Sequence, residues 1–302
     1  MSSSGSRHVA LLLSAMSLLC ATTACGGRAV APTRPADHRP LVMASLYPFA
    51  WLVQRIGGDH IRMESLAKPG ADPHDLELTP RQVIDVADAR LVVYVGDLQP
   101  AVDDAVNKYA HRHALDAASV VRTRPEAGEE AHGVYDPHVW LDPIRFATIA
   151  RAVEKRLAAI DPAHAGAYRH RAASVIGELR TLDGAYRSGL RTCRTRTLVT
   201  SHAAFGYLAD RYDLHQVGIA GVDPEIAPSL RRLAVVTRVA RRAHVTVVFY
   251  EASSNGEIAR ALADDIGARA RPLDPVEVAP GHGGYLSLMR GNLAALEKAL
   301  GC

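Results

Sequence analysis

The stretch LVMASLYPFAWLVQRIGG, Leu41 to Gly58, changes character part-way along. Leu41 to Tyr47 is apolar with little interruption and reads as a buried strand. Pro48 then sits where a helix accepts it, in the first turn, and the glycines at 57 and 58 mark the helix end. A strand that feeds directly into a helix is the repeating unit of a parallel sheet. The chain goes on repeating it. IRMESLA is the next strand, and TPRQVIDVADA is a helix with Thr79 as N-cap and Pro80 at its first position. LVVYVG, stopped by Gly96, suits a strand buried on both faces. A helix from about Ala101 and a short strand near Val120 follow.

Asp142 and Pro143 start a helix that runs to Ile160. After the interruption at Asp161-Pro162 a second helix runs to about Leu190. Its apolar residues recur at Ala172, Val175, Ile176, Leu179 and Leu182, a helical period. Nearly 30 residues at 1.5 Å each give about 40 Å, which reads as a strut rather than a core element. The second half then alternates again. TLVTS, LHQVGIA, VTVVFYE and RARPLD are strands; AAFGYLADRY, SLRRLAVVTRVARRA, GEIARALADDIG and LSLMRGNLAALEKAL are helices. The expected fold class is α/β: two lobes, residues 41–160 and 191–302, each a mainly parallel four-stranded sheet flanked by helices, joined by one long helix over 161–190. The halves look like duplicated architecture, not duplicated sequence.

The chain of 302 residues is 48% apolar with a formal net charge of +3. It has no long Lys/Arg run, so nothing points to nucleic acid. Residues 1–24 read as a secretory signal. Arg7 and His8 precede an apolar run too short for a spanning helix. Cleavage before Cys25, with Ala24 at −1, would match a bacterial lipoprotein signal, although Thr22 replaces the usual leucine at −3. Residues 25–40, rich in Gly, Pro and Ala, read as a flexible tether. The protein is therefore expected to be exported and held by lipid on the extracytoplasmic face of a membrane. With Cys20 removed and Cys25 acylated, two of the four cysteines remain, Cys193 and Cys302. An exported compartment permits a disulfide between them, against the alternative of two free thiols.

Three of the 14 histidines share a setting. His74 lies in KPGADPHDLELTP, His138 in DPHVWLDP and His202 in TLVTSHAAFGYL, each ahead of a helix. Asp274 ends the last strand, in RPLDPV. Open parallel sheets bind ligands beyond the carboxyl ends of their strands, so these four side chains are candidate metal ligands from both halves. The remaining histidines read as surface groups or as residues of the opposite sheet edge. Spacing alone is a weak signal here, because no H-E-x-x-H or paired C-x-x-C is present.

GADPHDLELTP, DPHVWLDP, TSHAAFGYLA and GGYLSLMRGNLAAL, in that order and over nearly the whole chain beyond the signal, resemble the motifs of the zinc and manganese solute-binding proteins of ABC importers. The resemblance implies two α/β lobes on one long helix, with metal in the cleft between them. It also implies His74, His138 and His202 as imidazole ligands and Asp274 as the carboxylate. Three imidazoles and one carboxylate suit tetrahedral Zn²⁺, whereas Mn²⁺ would favour more oxygen. Manganese members carry Glu where this chain has His202. Many zinc members carry a long His- and acid-rich loop before the second ligand; here the loop is short, with Glu129, Glu130 and His132, and reads as a solvated acidic loop. Glu251, at the exit of VTVVFYE, reads as a partner behind a ligand or as a residue between the lobes, with ligation of the metal as the lesser alternative. The implied role is monomeric capture of Zn²⁺ for an ABC permease, with a metallochaperone as a further candidate partner and no enzymatic turnover. The rivals are a secreted zinc hydrolase, with Glu251 as general base, and a metal-binding surface adhesin.

Overall fold

The computed structural model describes residues 37–67, 73–125, 135–251 and 256–302. The signal segment, residues 25–36 of the tether and the His132 loop lie outside the described residues. The strand-to-helix alternation is present throughout. In the first half β1 (Leu41–Ala44), α1 (Tyr47–Gly57), β2 (Arg62–Ser65), α2 (Pro80–Asp88), β3 (Leu91–Tyr94), α3 (Pro100–Ala105) and β4 (Ala114–Asp116) follow one another. The second half runs β5 (Thr197–Thr200), α6 (Gly206–Arg211), β6 (His215–Gly218), α7 (Leu230–Arg242), β7 (Val247–Tyr250), α8 (Glu257–Ile266), β8 (Arg269–Pro272) and α9 (Tyr285–Leu300). Between the halves lie α4 (Pro143–Ile160) and α5 (Ala165–Gly189).

Both sheets are parallel and share one topology: β2-β1-β3-β4 and β6-β5-β7-β8. All strands of a sheet thus point their carboxyl ends the same way, and the loops that leave those ends are free to build a site. The helix starts follow local chemistry. Thr79 and Gln82 form a reciprocal capping box at α2: Thr79 Oγ1 accepts from the Gln82 N–H at 3.3 Å, and Gln82 Oε1 accepts from the Thr79 N–H at 3.0 Å. Asp142 caps α4 by accepting from the Ile144 and Arg145 N–H groups at 2.8 and 3.3 Å.

Two details differ from the sequence expectation. The fourth strand lies at 114–116 rather than near Val120, where residues 118–120 form a 3₁₀ turn. As an edge strand of three residues with only Leu115 buried, β4 carries no apolar run to mark it. The long helix is not a solvated strut. Tyr168, Ala172, Val175, Ile176, Leu179, Leu182 and Tyr186 of α5 are buried, and the helix packs on α1, α4 and α9. Tyr186 donates from its hydroxyl to the Met289 carbonyl at 2.7 Å, tying α5 to α9. One apolar core consequently runs through both halves, from Phe49 and Trp140 through Leu179 to Phe249 and Met289.

Cys193 and Cys302 are bridged, with a sequence separation of 109. The bond joins the segment after α5 to the residue that follows α9. Around it, the Thr195 N–H donates to the Leu300 carbonyl and Thr246 Oγ1 donates to the Ala299 carbonyl, both at 3.2 Å. Among the described residues no helix is long and apolar enough to cross a membrane.

Candidate metal centre

Four loops at the carboxyl ends of the two sheets converge. His74 lies between β2 and α2, on a loop held by Gln99, whose Nε2 donates to the Pro73 carbonyl at 2.8 Å. His138 precedes the 3₁₀ turn Val139–Leu141 that enters α4. His202 follows β5, and its carbonyl accepts from Thr200 Oγ1 at 2.5 Å. The ring centroids stand 6.0 Å (His74–His138), 6.0 Å (His74–His202) and 5.4 Å (His138–His202) apart. The carboxylate that joins them is Glu277, on the loop after β8. One donor atom from each of the four residues lies within 4.8 Å of all the others.

Asp274, the carboxylate of the sequence reading, lies just after β8 as expected but is absent from that group of donors. Its Oδ1 is committed to the backbone, accepting from the Val276 N–H at 2.7 Å. Glu277, three residues further on, reaches the imidazoles instead, with Oε2 at 3.5 Å from His74 Nε2 and Oε1 at 3.1 Å from His138 Nε2. No sequence signal marked it: the residue sits in irregular chain beyond the strand.

The imidazoles are held from behind. The Nδ1 of His138 lies 2.8 Å from Asp136 Oδ1, and the same oxygen accepts the His138 backbone N–H at 3.0 Å. His202 Nδ1 is hydrogen-bonded to Glu251 Oε1, a carboxylate that also accepts from Ser201 Oγ at 3.2 Å. Such contacts fix the tautomer and aim Nε2 at the shared point. Glu251 thus lies behind His202, on the side of the ring away from the other imidazoles' donor group. Asp136 was missed; the signal was its position two residues before His138, where an Asx turn brings the carboxylate back over the following backbone. Asp136 is itself locked by Arg124, whose NH1 donates to Oδ2 at 3.0 Å while Nε donates to Asp210 at 2.9 Å.

The site is dry. His138, His202 and Glu277 are 0%, 1% and 4% exposed. The Nε2 atoms of His138 and His202 and the Oε1 of Glu277 are buried without a well-formed hydrogen bond, an arrangement that suits coordination of a cation. Burial alone would push the His138 pKa down, but Asp136 and Glu277 on either side of the ring outweigh it and raise it well above the ordinary imidazole value. The same contacts act on Glu277, where burial is overcome by His138 and His74 and the pKa is lowered.

A family model described as "Zinc-uptake complex component A periplasmic", ZnuA, matches residues 42–299. The chain belongs to this family. It is 29% identical to the zinc-binding lipoprotein AdcA of Streptococcus pneumoniae over an alignment that covers 97% of this chain and 61% of that protein. The chain thus spans less than two thirds of the length of that relative. Identity to the high-affinity zinc uptake system protein ZnuA of Bacillus subtilis is also 29%, covering 92% of this chain and 93% of that one. Among solved structures, the laminin-binding protein Lmb of Streptococcus agalactiae, described as bifunctional with adhesin and metal transporting activity, superposes with a TM-score of 0.79. It is 32% identical and covers 87% of this chain and 99% of that one. The two parallel four-stranded sheets flanked by helices are the architecture of this ZnuA-type member.

Proposed function

We propose that this ZnuA-family chain captures Zn²⁺ between its two sheets and delivers it to an ABC-type permease. The observation that carries the reading is the meeting of three imidazoles and one carboxylate, drawn from four separate loops, within 4.8 Å. Three nitrogens and one oxygen fit a tetrahedral zinc shell, and a nitrogen-rich set favours Zn²⁺ over Mn²⁺. His74, His138, His202 and Glu277 are the ligands on this reading, with Asp136 and Glu251 orienting two of the rings. The names of the relatives support the cargo, and the uptake-system name of one of them supports a role in transport. The lipoprotein name of one of them supports anchoring through Cys25 on the extracytoplasmic face.

The hydrolase reading is weaker on two counts. Four protein ligands close the position that catalytic zinc keeps for water. Glu251, the general-base candidate, is turned onto His202 Nδ1 and Ser201 Oγ. The adhesin reading rests on the description of relatives and on no residue of this chain. Protein purified without added zinc, stripped with chelator and titrated against a competing indicator should take up one equivalent of Zn²⁺ tightly. It should show no metal-dependent ester or peptide hydrolysis. Failure to bind, or zinc-dependent turnover, would overturn the proposal.

The ligands bind as free bases, so zinc must displace a proton from any imidazole that carries one. A raised pKa keeps His138 protonated to higher pH than an ordinary imidazole, whose pKa is about 6.5. Zinc affinity should thus fall as pH drops, and the fall should begin above the usual imidazole range. Below that onset each proton released costs about tenfold in affinity per pH unit. Competition titrations at pH 8, 7 and 6 check this, and a flat profile across them would contradict it.

A further inference from the structure

The carboxylate that meets the imidazoles rides on an unusual piece of backbone. Val276, immediately before Glu277, has φ +62° and is fully buried. A β-branched residue in the left-handed region costs about 1–3 kcal/mol and persists only where its surroundings hold it. They do so here. Asp274 Oδ1 accepts the Val276 N–H at 2.7 Å. Asn292 of α9 brackets Asp274 from the other side: its Oδ1 accepts the Asp274 N–H at 3.0 Å and its Nδ2 donates to the Asp274 carbonyl at 2.6 Å. Trp140, two residues after His138, donates from Nε1 to the Pro275 carbonyl at 2.8 Å. The indole joins the turn that carries one imidazole to the turn that carries the carboxylate.

We propose that Asp274 and Asn292 are positioning residues for zinc binding: they hold residues 274–277 in the left-handed kink that aims Glu277 at the three imidazoles. The inference rests on Glu277 being a ligand, as read above. An aspartate that works by accepting a backbone N–H differs from one that binds the ion. An amide oxygen can replace the first but is a poor substitute for the second.

The test is a set of zinc titrations on Asp274→Ala, Asp274→Asn, Asn292→Leu and Glu277→Gln, with the first and third repeated in the Glu277→Gln background. Asp274→Ala and Asn292→Leu should each weaken zinc about 10- to 100-fold, the range of residues that orient a ligand. Asp274→Asn should stay within about threefold of the parent, because its side-chain oxygen still accepts from Val276. In the Glu277→Gln background the two damaging changes should cost less than about twofold more, since residues that act through one group are not additive. The Co²⁺ form gives an independent readout. Its visible bands should weaken and shift in Asp274→Ala as water replaces the carboxylate, and should be restored in Asp274→Asn. Melting of the zinc-free proteins separates misfolding from mispositioning. Asp274→Asn as damaging as Asp274→Ala, or losses fully additive with Glu277→Gln, would overturn the proposal. So would Asp274→Ala binding as tightly as the parent while Glu277→Gln is weakened. Parent-like affinity in Glu277→Gln would instead remove the ligand assignment beneath it.

Discussion

Replacing His202 by alanine is expected to weaken Zn²⁺ binding about 100- to 1,000-fold, or roughly 3–4 kcal/mol, as one of four ligands whose combined zinc binding typically reaches 10–16 kcal/mol. The loss should be large because the site would lose one of its three imidazoles. His202 is 1% exposed, so water has poor access to the vacated position. Glu251 would also lose its imidazole partner and remain as a buried carboxylate next to Ser201. Changing Glu251 to glutamine keeps the ring and disturbs only its orientation, so it should cost less, about 10- to 100-fold. Competition titration of the two variants beside the parent decides the matter. Equal, small losses would mean that His202 does not bind the ion.

The second large effect concerns folding. The Cys193–Cys302 bridge closes a loop with a sequence separation of 109. In the chain-entropy model a loop of about 100 residues is worth ~4.7 kcal/mol, through restriction of the unfolded chain. Cys193→Ser should thus lower the melting temperature by about 10–15 °C at the few degrees per kcal/mol typical of this size. The comparison belongs in chelator, because bound zinc would stabilise both proteins and mask the difference. Zinc affinity should change little, since Cys193 precedes β5 and Cys302 follows α9, whereas His202, the nearest donor in sequence, lies beyond the carboxyl end of β5. Coincident melting curves would show that the bridge contributes no stability.

Much of the architecture was legible because each strand-to-helix junction carries its own chemistry. Thr79-Pro80 and Asp142-Pro143 announce helix starts, and the apolar runs at 91–95 and 245–250 can only be buried strands. What escaped was set by tertiary context. The stripe on α5 was visible, but its partners on α1, α4 and α9 were not, so a core helix read as a strut. The three imidazoles shared a recognisable setting, whereas their carboxylate did not. Asp274 follows a strand and is the natural choice; Glu277 comes after Val276, whose positive φ no sequence pattern foretells. Asp136 lay in plain view beside His138, and the turn geometry that makes it a partner was recognisable in retrospect.

On the proposed reading, the shared core has a bearing on how Zn²⁺ would leave. Swinging one sheet away from the other would part aromatic packing such as Trp51 of α1 against Tyr285 of α9, whose centroids are 5.1 Å apart. Exposing apolar surface costs about 25 cal/mol for each Å². On that reading, release would cost less apolar exposure if the connectors bearing the imidazoles loosened while the body stayed put. A recipient that grips those connectors could thus unload the ion without prising the halves apart.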